Sequence, residues 1–183
     1  MDSTPSSCSS AATAISAAPL LLTARLRLVA ADEPLAAALT DFHGRNRAHL
    51  APWDPPTPAD FYTEAVQARR LRDAAAAFLA GTGYRYLLQP IGDTSRVVGT
   101  VNFSNIVRGP FQSCNLGYAL DQALEGQALM TEALRRAIVE MNRFSPRTSV
   151  VTGRNSGDDA WWVRCERPSP CTAASARHPG SSR

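Results

Sequence analysis

From Asn142 to Arg183 the chain contains no leucine, isoleucine or methionine, whereas residues 1–141 hold twenty-four of them. At the earlier density about seven would fall in a stretch of that length, so a core of ordinary composition has to be drawn almost wholly from the first 141 residues. The last forty-two residues are instead rich in Ser, Pro, Arg and Gly, around an isolated Ala160-Trp161-Trp162-Val163 patch. So abrupt a change predicts a reading-frame change shortly after Met141, with 142–183 as an atypical, poorly ordered tail.

The opposite end is equally poor in core formers. Residues 1–19 are mostly Ser, Ala, Thr and Pro with no basic residue, and the Leu20–Leu22 run is too short for a signal peptide or a membrane span, so 1–19 reads as a disordered leader. What remains, 20–141, suits one globular domain.

The 183 residues carry a net charge of +3, and every basic residue is arginine. The densest basic group, Arg69, Arg70 and Arg72, falls on one predicted helix and reads as a solvated face, which argues against direct nucleic-acid binding. Cys8, Cys114, Cys165 and Cys171 show neither zinc-site spacing nor the density of a secreted disulfide framework. These cysteines point to a reducing, cytoplasmic setting and no metal.

Periodicity orders the middle of the chain. Residues Leu21–Ala30 alternate around Leu26 and Leu28 as a half-buried strand. A helix follows Asp32 and Glu33, with Pro34 in its first turn and Leu35, Ala38, Leu39 and Phe42 at helical spacing. After the Pro-rich loop NRAHLAPWDPP, Thr57 is the expected N-cap of a second helix, with Pro58 at N1, a stripe from Phe61 to Phe78, and Gly81 and Gly83 as its stop. Strands are expected at Tyr84–Gln89, Val97–Ile106 and Asn115–Leu120, joined by short turns. A third helix, Gln127 to Met141, aligns Met130, Ala133, Leu134, Ala137, Ile138 and Met141, and Thr148–Thr152 could add one more strand. This order is an α+β sandwich with a mixed sheet, not a doubly wound fold.

The chemically informative segment is LGYALDQALEGQALMTEALRRAI, Leu116 to Ile138: a strand, a tight turn with little side-chain bulk, then an amphipathic helix. The first N–H groups of such a helix have no intrahelical acceptor and lie at the positive end of its dipole, which suits a pyrophosphate. A single glycine, Gly126, can also do no more than close a strand-to-helix turn.

The junction is similar to the acetyl-CoA loop of the GNAT superfamily. The runs NRAHLAPWDPP, VVGTVNFSNIVRGPF, LGYAL and LMTEAL together resemble its ribosomal-protein-alanine N-acetyltransferase branch over roughly Leu21 to Met141. The resemblance implies a GNAT-like, mainly antiparallel sheet with helices on both faces. It also implies acetyl-CoA as acetyl donor, held by Leu120, Glu125, Gly126, Gln127, Ala128, Leu129 and Met130. Three positions depart from the family pattern: Glu125 replaces the usual Arg or Gln, Ala128 a glycine, and Met130 a small residue. These departures imply weakened binding. The family's later elements, a fourth helix and a closing strand pair, have no apolar counterpart after Met141, so the closing elements are expected to be missing.

The implied reaction is direct attack of an amine on the thioester, with the protein's N-terminal α-amine, on a ribosomal protein, as acceptor. Freeing an α-amine of its proton at neutral pH costs roughly 4 kcal/mol less than freeing a lysine, so a weak base or a placed water suffices. Tyr118 and Asn115 on the strand are the catalytic candidates, with backbone N–H groups near Leu120 polarising the carbonyl. Asn46, His49, Asn105 and Arg108 are expected to border the acceptor groove, with Arg47 near it, and Trp53 to anchor packing. Two alternatives stand beside this reading: a catalytically inert remnant, and a transferase acting on a small-molecule amine.

Overall fold

The computed structural model describes residues 20–54, 56–108, 110, 112–144, 149–153 and 160–163. The leader 1–19 and most of the tail lie outside these residues. Among the described residues seven strands form one sheet in sequence order: β1 (Leu21–Leu22), β2 (Leu26–Ala30), β3 (Tyr84–Pro90), β4 (Gly99–Val107), β5 (Ser113–Leu120), β6 (Ser149–Gly153) and β7 (Ala160–Val163). Neighbours are antiparallel except β5 and β6, which run parallel. The helices are α1 (Ala36–Arg45), α2 (Arg47–Leu50), α3 (Glu64–Ala80) and α4 (Leu129–Phe144).

The strand alternation sorts side chains onto two cores. On β3, Tyr86 and Leu88 join the larger cluster, which includes Leu26, Leu28, Val101, Phe103, Cys114 and Leu116 and is covered by Leu129, Ala133, Ala137 and Met141 of α4. Leu87, between them, turns to the other face and packs with Val97 and with Leu39, Phe42 and Leu71 of α1 and α3. The sheet is therefore sandwiched, as its mixed pattern implies.

Two local expectations are corrected. Thr57 does not cap α3: Pro58 precedes a 3-10 turn over Ala59–Tyr62, Thr63 then returns to extended backbone, and α3 starts only at Glu64. The helix does end on Gly81, at φ 68° in the left-handed region, where glycine has no Cβ penalty. The Ala160–Val163 patch is a strand rather than an isolated fragment, because β6 offers it an open edge and its Trp and Val residues favour extended backbone. The sheet thus ends in an antiparallel partner for β6 rather than a lone stub.

Candidate active site

Strand β5 forms the site's spine. Among the described residues its outer edge is paired with β6 at three positions, Ser113 with Ser149, Cys114 with Val150 and Asn115 with Val151. Beyond Asn115 no described strand pairs with that edge, so the backbone of Leu116–Leu120 is left open on the side where β6 diverges. Gly99 on β4 holds the inner edge tightly. A Cβ there would lie 2.7 Å from the Ala119 carbonyl oxygen and 2.9 Å from Leu88 Cδ1.

The chain leaves β5 through Asp121, whose carboxylate is buried and joins three elements. Oδ2 accepts from Arg45 Nε of α1 at 2.8 Å and from Arg96 Nη2 at 3.0 Å, and Oδ1 accepts from the Ala123 N–H at 3.2 Å. Burial alone would raise this carboxyl, but these donors outweigh it and hold it below the usual carboxylate range. Arg45 also donates to the Val97 carbonyl and to Asp41. The next turn is fixed by Asn46, whose Oδ1 accepts from the Gln122 N–H at 3.0 Å while Nδ2 donates to the Phe42 carbonyl at 2.9 Å.

From Glu125 the chain turns into α4 through two left-handed residues, Gly126 at φ 73° and Ala128 at φ 59°. Open space surrounds the Gly126 position, and Gly126, Gln127 and Ala128 are exposed. The Glu132 N–H reaches the Ala128 carbonyl at 3.1 Å, so the N–H groups of Leu129, Met130 and Thr131 precede the first intrahelical bond. Arg25 holds the loop from behind. Its Nη1 donates to the Gln127 carbonyl at 3.0 Å, its Nε to Glu132 Oε2 at 2.8 Å, and its backbone N–H to Glu132 Oε1 at 3.0 Å. Glu125, the out-of-pattern acid, has its carboxylate 3.0 Å from His49 Nε2 and is thereby drawn toward α2.

These parts open onto one cleft of about 1420 Å³. It brings together Tyr118, Leu120, Glu125, Gly126, Ala128, Leu129, Met130 and His49 of the expected residues, with Tyr118 half exposed. Gln127 contributes its carbonyl to the Arg25 clamp instead. Asn46, Asn105, Asn115 and Arg108 do not line the cleft either. Asn46 has both ends of its buried amide engaged in holding the loop. Asn115 is exposed one step before the strand edge opens. Asn105 sits at φ 50° in a β4 irregularity, and Arg108 bridges the ends of α3 and α4 through the Gly81 and Phe144 carbonyls, both at 3.4 Å. Trp53, expected to be a packing anchor, is 46% exposed and lines the cleft.

The far wall was not anticipated: His43, Asp54, Phe61, Arg70, Arg85, Thr100 and Asn102. Arg70, read from sequence as part of a solvated face, lies with its guanidinium 4.5 Å from the centre of the Phe61 ring. The one available signal is Arg85, the second residue and the one charge of the strand Tyr84–Pro90. Burial is the main cause that pushes the His43 imidazole down to about 4, with Arg85 and Arg70 adding to it. His43 is therefore neutral at pH 7.

A family model described as an acetyltransferase (GNAT) domain matches residues 25–156. The chain is 38% identical over 111 residues to the [ribosomal protein uS5]-alanine N-acetyltransferase of Escherichia coli (strain K12), covering 57% of this chain and 54% of that one. It thus spans about half the length of the curated relatives it matches. Among solved structures, the ribosomal-protein-S5-alanine acetyltransferase from Vibrio fischeri superposes with a TM-score of 0.69 at 24% identity, covering 74% of this chain and 73% of that one. A ribosomal L7/L12 α-N-protein acetyltransferase in complex with coenzyme A gives 0.64 at 21% identity, with 73% of each chain covered. At such identities these two speak to the shared fold.

Proposed function

The chain belongs to the acetyltransferase (GNAT) domain family, and from that premise we propose that it transfers the acetyl group of acetyl-CoA to the N-terminal α-amine of a protein, a ribosomal protein in particular, in the cytoplasm. The observation that carries this reading is the open edge of β5 leading directly into the N-terminus of α4. An extended pantetheine arm needs backbone partners along its length, which the unpaired edge of Leu116–Leu120 offers. A pyrophosphate needs N–H donors and a positive dipole end, which the exposed turn at Gly126–Ala128 and the first turn of α4 offer. The acetyl thioester supplies the electrophile. Backbone N–H groups near Leu120 would stabilise the oxygen charge of the tetrahedral adduct, and Tyr118 would orient the amine or a water relaying its proton.

Of the three departures, Glu125 is the one the fold compensates, through His49. Ala128 is not compensated: its methyl group stands on a left-handed backbone beside the donors. The test is thermal unfolding with acetyl-CoA. The unaltered chain should show a saturable rise in Tm, worth about 2.7 kcal/mol or roughly 5–10 °C at a hundredfold excess over Kd. Ala128→Gly should bind about three- to tenfold tighter with little change in the unliganded Tm, because relief of backbone strain is offset by the freer unfolded chain. A cooperative melt that acetyl-CoA leaves unmoved in both proteins would sink the assignment. Mass-spectrometric acetylation of an Ala-initiated peptide against a polyamine then decides the acceptor class.

A further inference from the structure

The wall of the cleft opposite the α4 loop carries more positive charge than it has partners for. Of the charged groups that line the cleft, Glu125 is paired with His49, and Asp54 and Arg70 act on each other. Arg85 is left over. Its Nε is buried with no hydrogen-bond partner, and the charge acting on it is the like charge of Arg70. Beside it, His43 is 8% exposed, wedged edge-on against Phe42 and Phe61, and its Nε2 is also buried without a partner. Orphaned buried donors on a cleft wall are unfavourable in isolation and become favourable when a ligand oxygen reaches them.

We propose that Arg85, with His43 and Arg70 beside it, forms a subsite for a carboxylate on the acetyl acceptor, so that the preferred acceptor is a peptide with an acidic residue directly after its N-terminus. The proposal rests on the acetyl-transfer reading and deepens it. A guanidinium takes a carboxylate through two parallel hydrogen bonds, and a neutral imidazole can add an N–H. The register sets the spacing. Arg85 pairs with Asn102 and Asn102 with Gly117, so these cleft residues form one row across three strands. At about 4.8 Å per strand, Arg85 lies roughly 10 Å across the sheet from the β5 segment next to the open edge. Leu120, at the end of β5, lies three residues or roughly 10 Å along the strand from Gly117, so an amine held there is roughly 14 Å from the Arg85 backbone, a span that an extended second or third residue, its carboxylate side chain and the arginine side chain cover together. The same wall explains the value of a neutral His43: a third positive charge beside Arg85 and Arg70 would be repelled by both.

The experiment compares two Ala-initiated hexapeptides that differ only in having Glu or Gln at residues two and three. Binding is measured by calorimetry with and without acetyl-CoA, and acetyl transfer by mass spectrometry. The Glu peptide should bind the unaltered chain about tenfold more tightly than its Gln twin. In Arg85→Met, checked for a cooperative melt, the preference should fall to about twofold or less, with Arg85→Lys intermediate. Equal binding of the twins to the unaltered chain overturns the subsite without recourse to any variant, as does an undiminished preference in folded Arg85→Met. Equal acetylation and binding of both twins overturns the subsite and leaves the acetyltransferase reading intact. A Glu preference in binding with transfer to neither peptide does the reverse.

Discussion

Asp121→Asn should lower the stability of the protein by about 3 kcal/mol, the range expected when a charged acceptor is removed from two guanidiniums in a mostly buried site. The amide keeps one acceptor but turns an NH2 toward donors on Arg45 or Arg96, which join Asp121 at 2.8 and 3.0 Å. Because Arg45 is also bound to the Val97 carbonyl, α1 loses its hold on the end of β5 at the same time. The loss should reach the turn at Gly126–Ala128, the proposed acetyl-CoA site, with weaker acetyl-CoA binding beside the lower denaturant midpoint. The pH dependence has a definite sign. The folded carboxyl is held below its unfolded value, so its contribution is present above about pH 4 and is lost as the pH falls through the depressed folded value. The variant should lack that part of the acid limb. A loss under 1 kcal/mol at pH 7 in urea denaturation would show that the three-element junction is not held by this carboxylate.

Acidification from pH 6.5 to pH 4 should by itself cost about 3 kcal/mol through His43. Its folded imidazole is pushed down to about 4 by burial, then by Arg85 and Arg70. The unfolded chain therefore takes up the proton first. Stability from this group is complete above the unfolded value near 6.5 and declines with one proton's slope until the folded value is passed. Phe42 and Phe61 already pack edge-on against the ring, and its Nε2 has no partner. His43→Phe should accordingly fold at pH 7 and lose the slope between pH 6.5 and 4. Urea midpoints across that window would read both proteins. A slope that persists unchanged in the variant would assign the titration to another group.

The sequence makes the site's two local parts legible, because each is written in a short contiguous pattern. The strand ending at Leu120 gives way to helical spacing from Leu129, and the sparse turn between them is where the structure places the left-handed Gly126 and Ala128. What stays hidden is whatever depends on pairing across the chain. Asn46 and His49 are three residues apart, yet one is buried under the Gln122 turn and the other faces the cleft. Arg70 and Arg85 come together through α3 folding over β3, and neither the helix pattern nor the strand pattern says which cation turns inward. Likewise Ala160–Val163 has no flanking apolar period, and becomes a strand only because β6 lies beside it.

The three-position seam between β5 and β6 also has a consequence for how the molecule breathes. Among the described residues the pairing of β6 with β7 is four residues long and that of β4 with β5 longer still, so the β6–β7 ribbon is joined there to the rest of the sheet by the shortest interstrand ladder apart from that of β1. Opening that seam breaks few hydrogen bonds, so the ribbon should detach as a sub-global unit while the β2–β5 sheet stays closed. Amide hydrogen exchange should then show Ser149–Gly153 losing protection well before Gly99–Val107, and equal protection of the two would mean that the seam opens only with global unfolding.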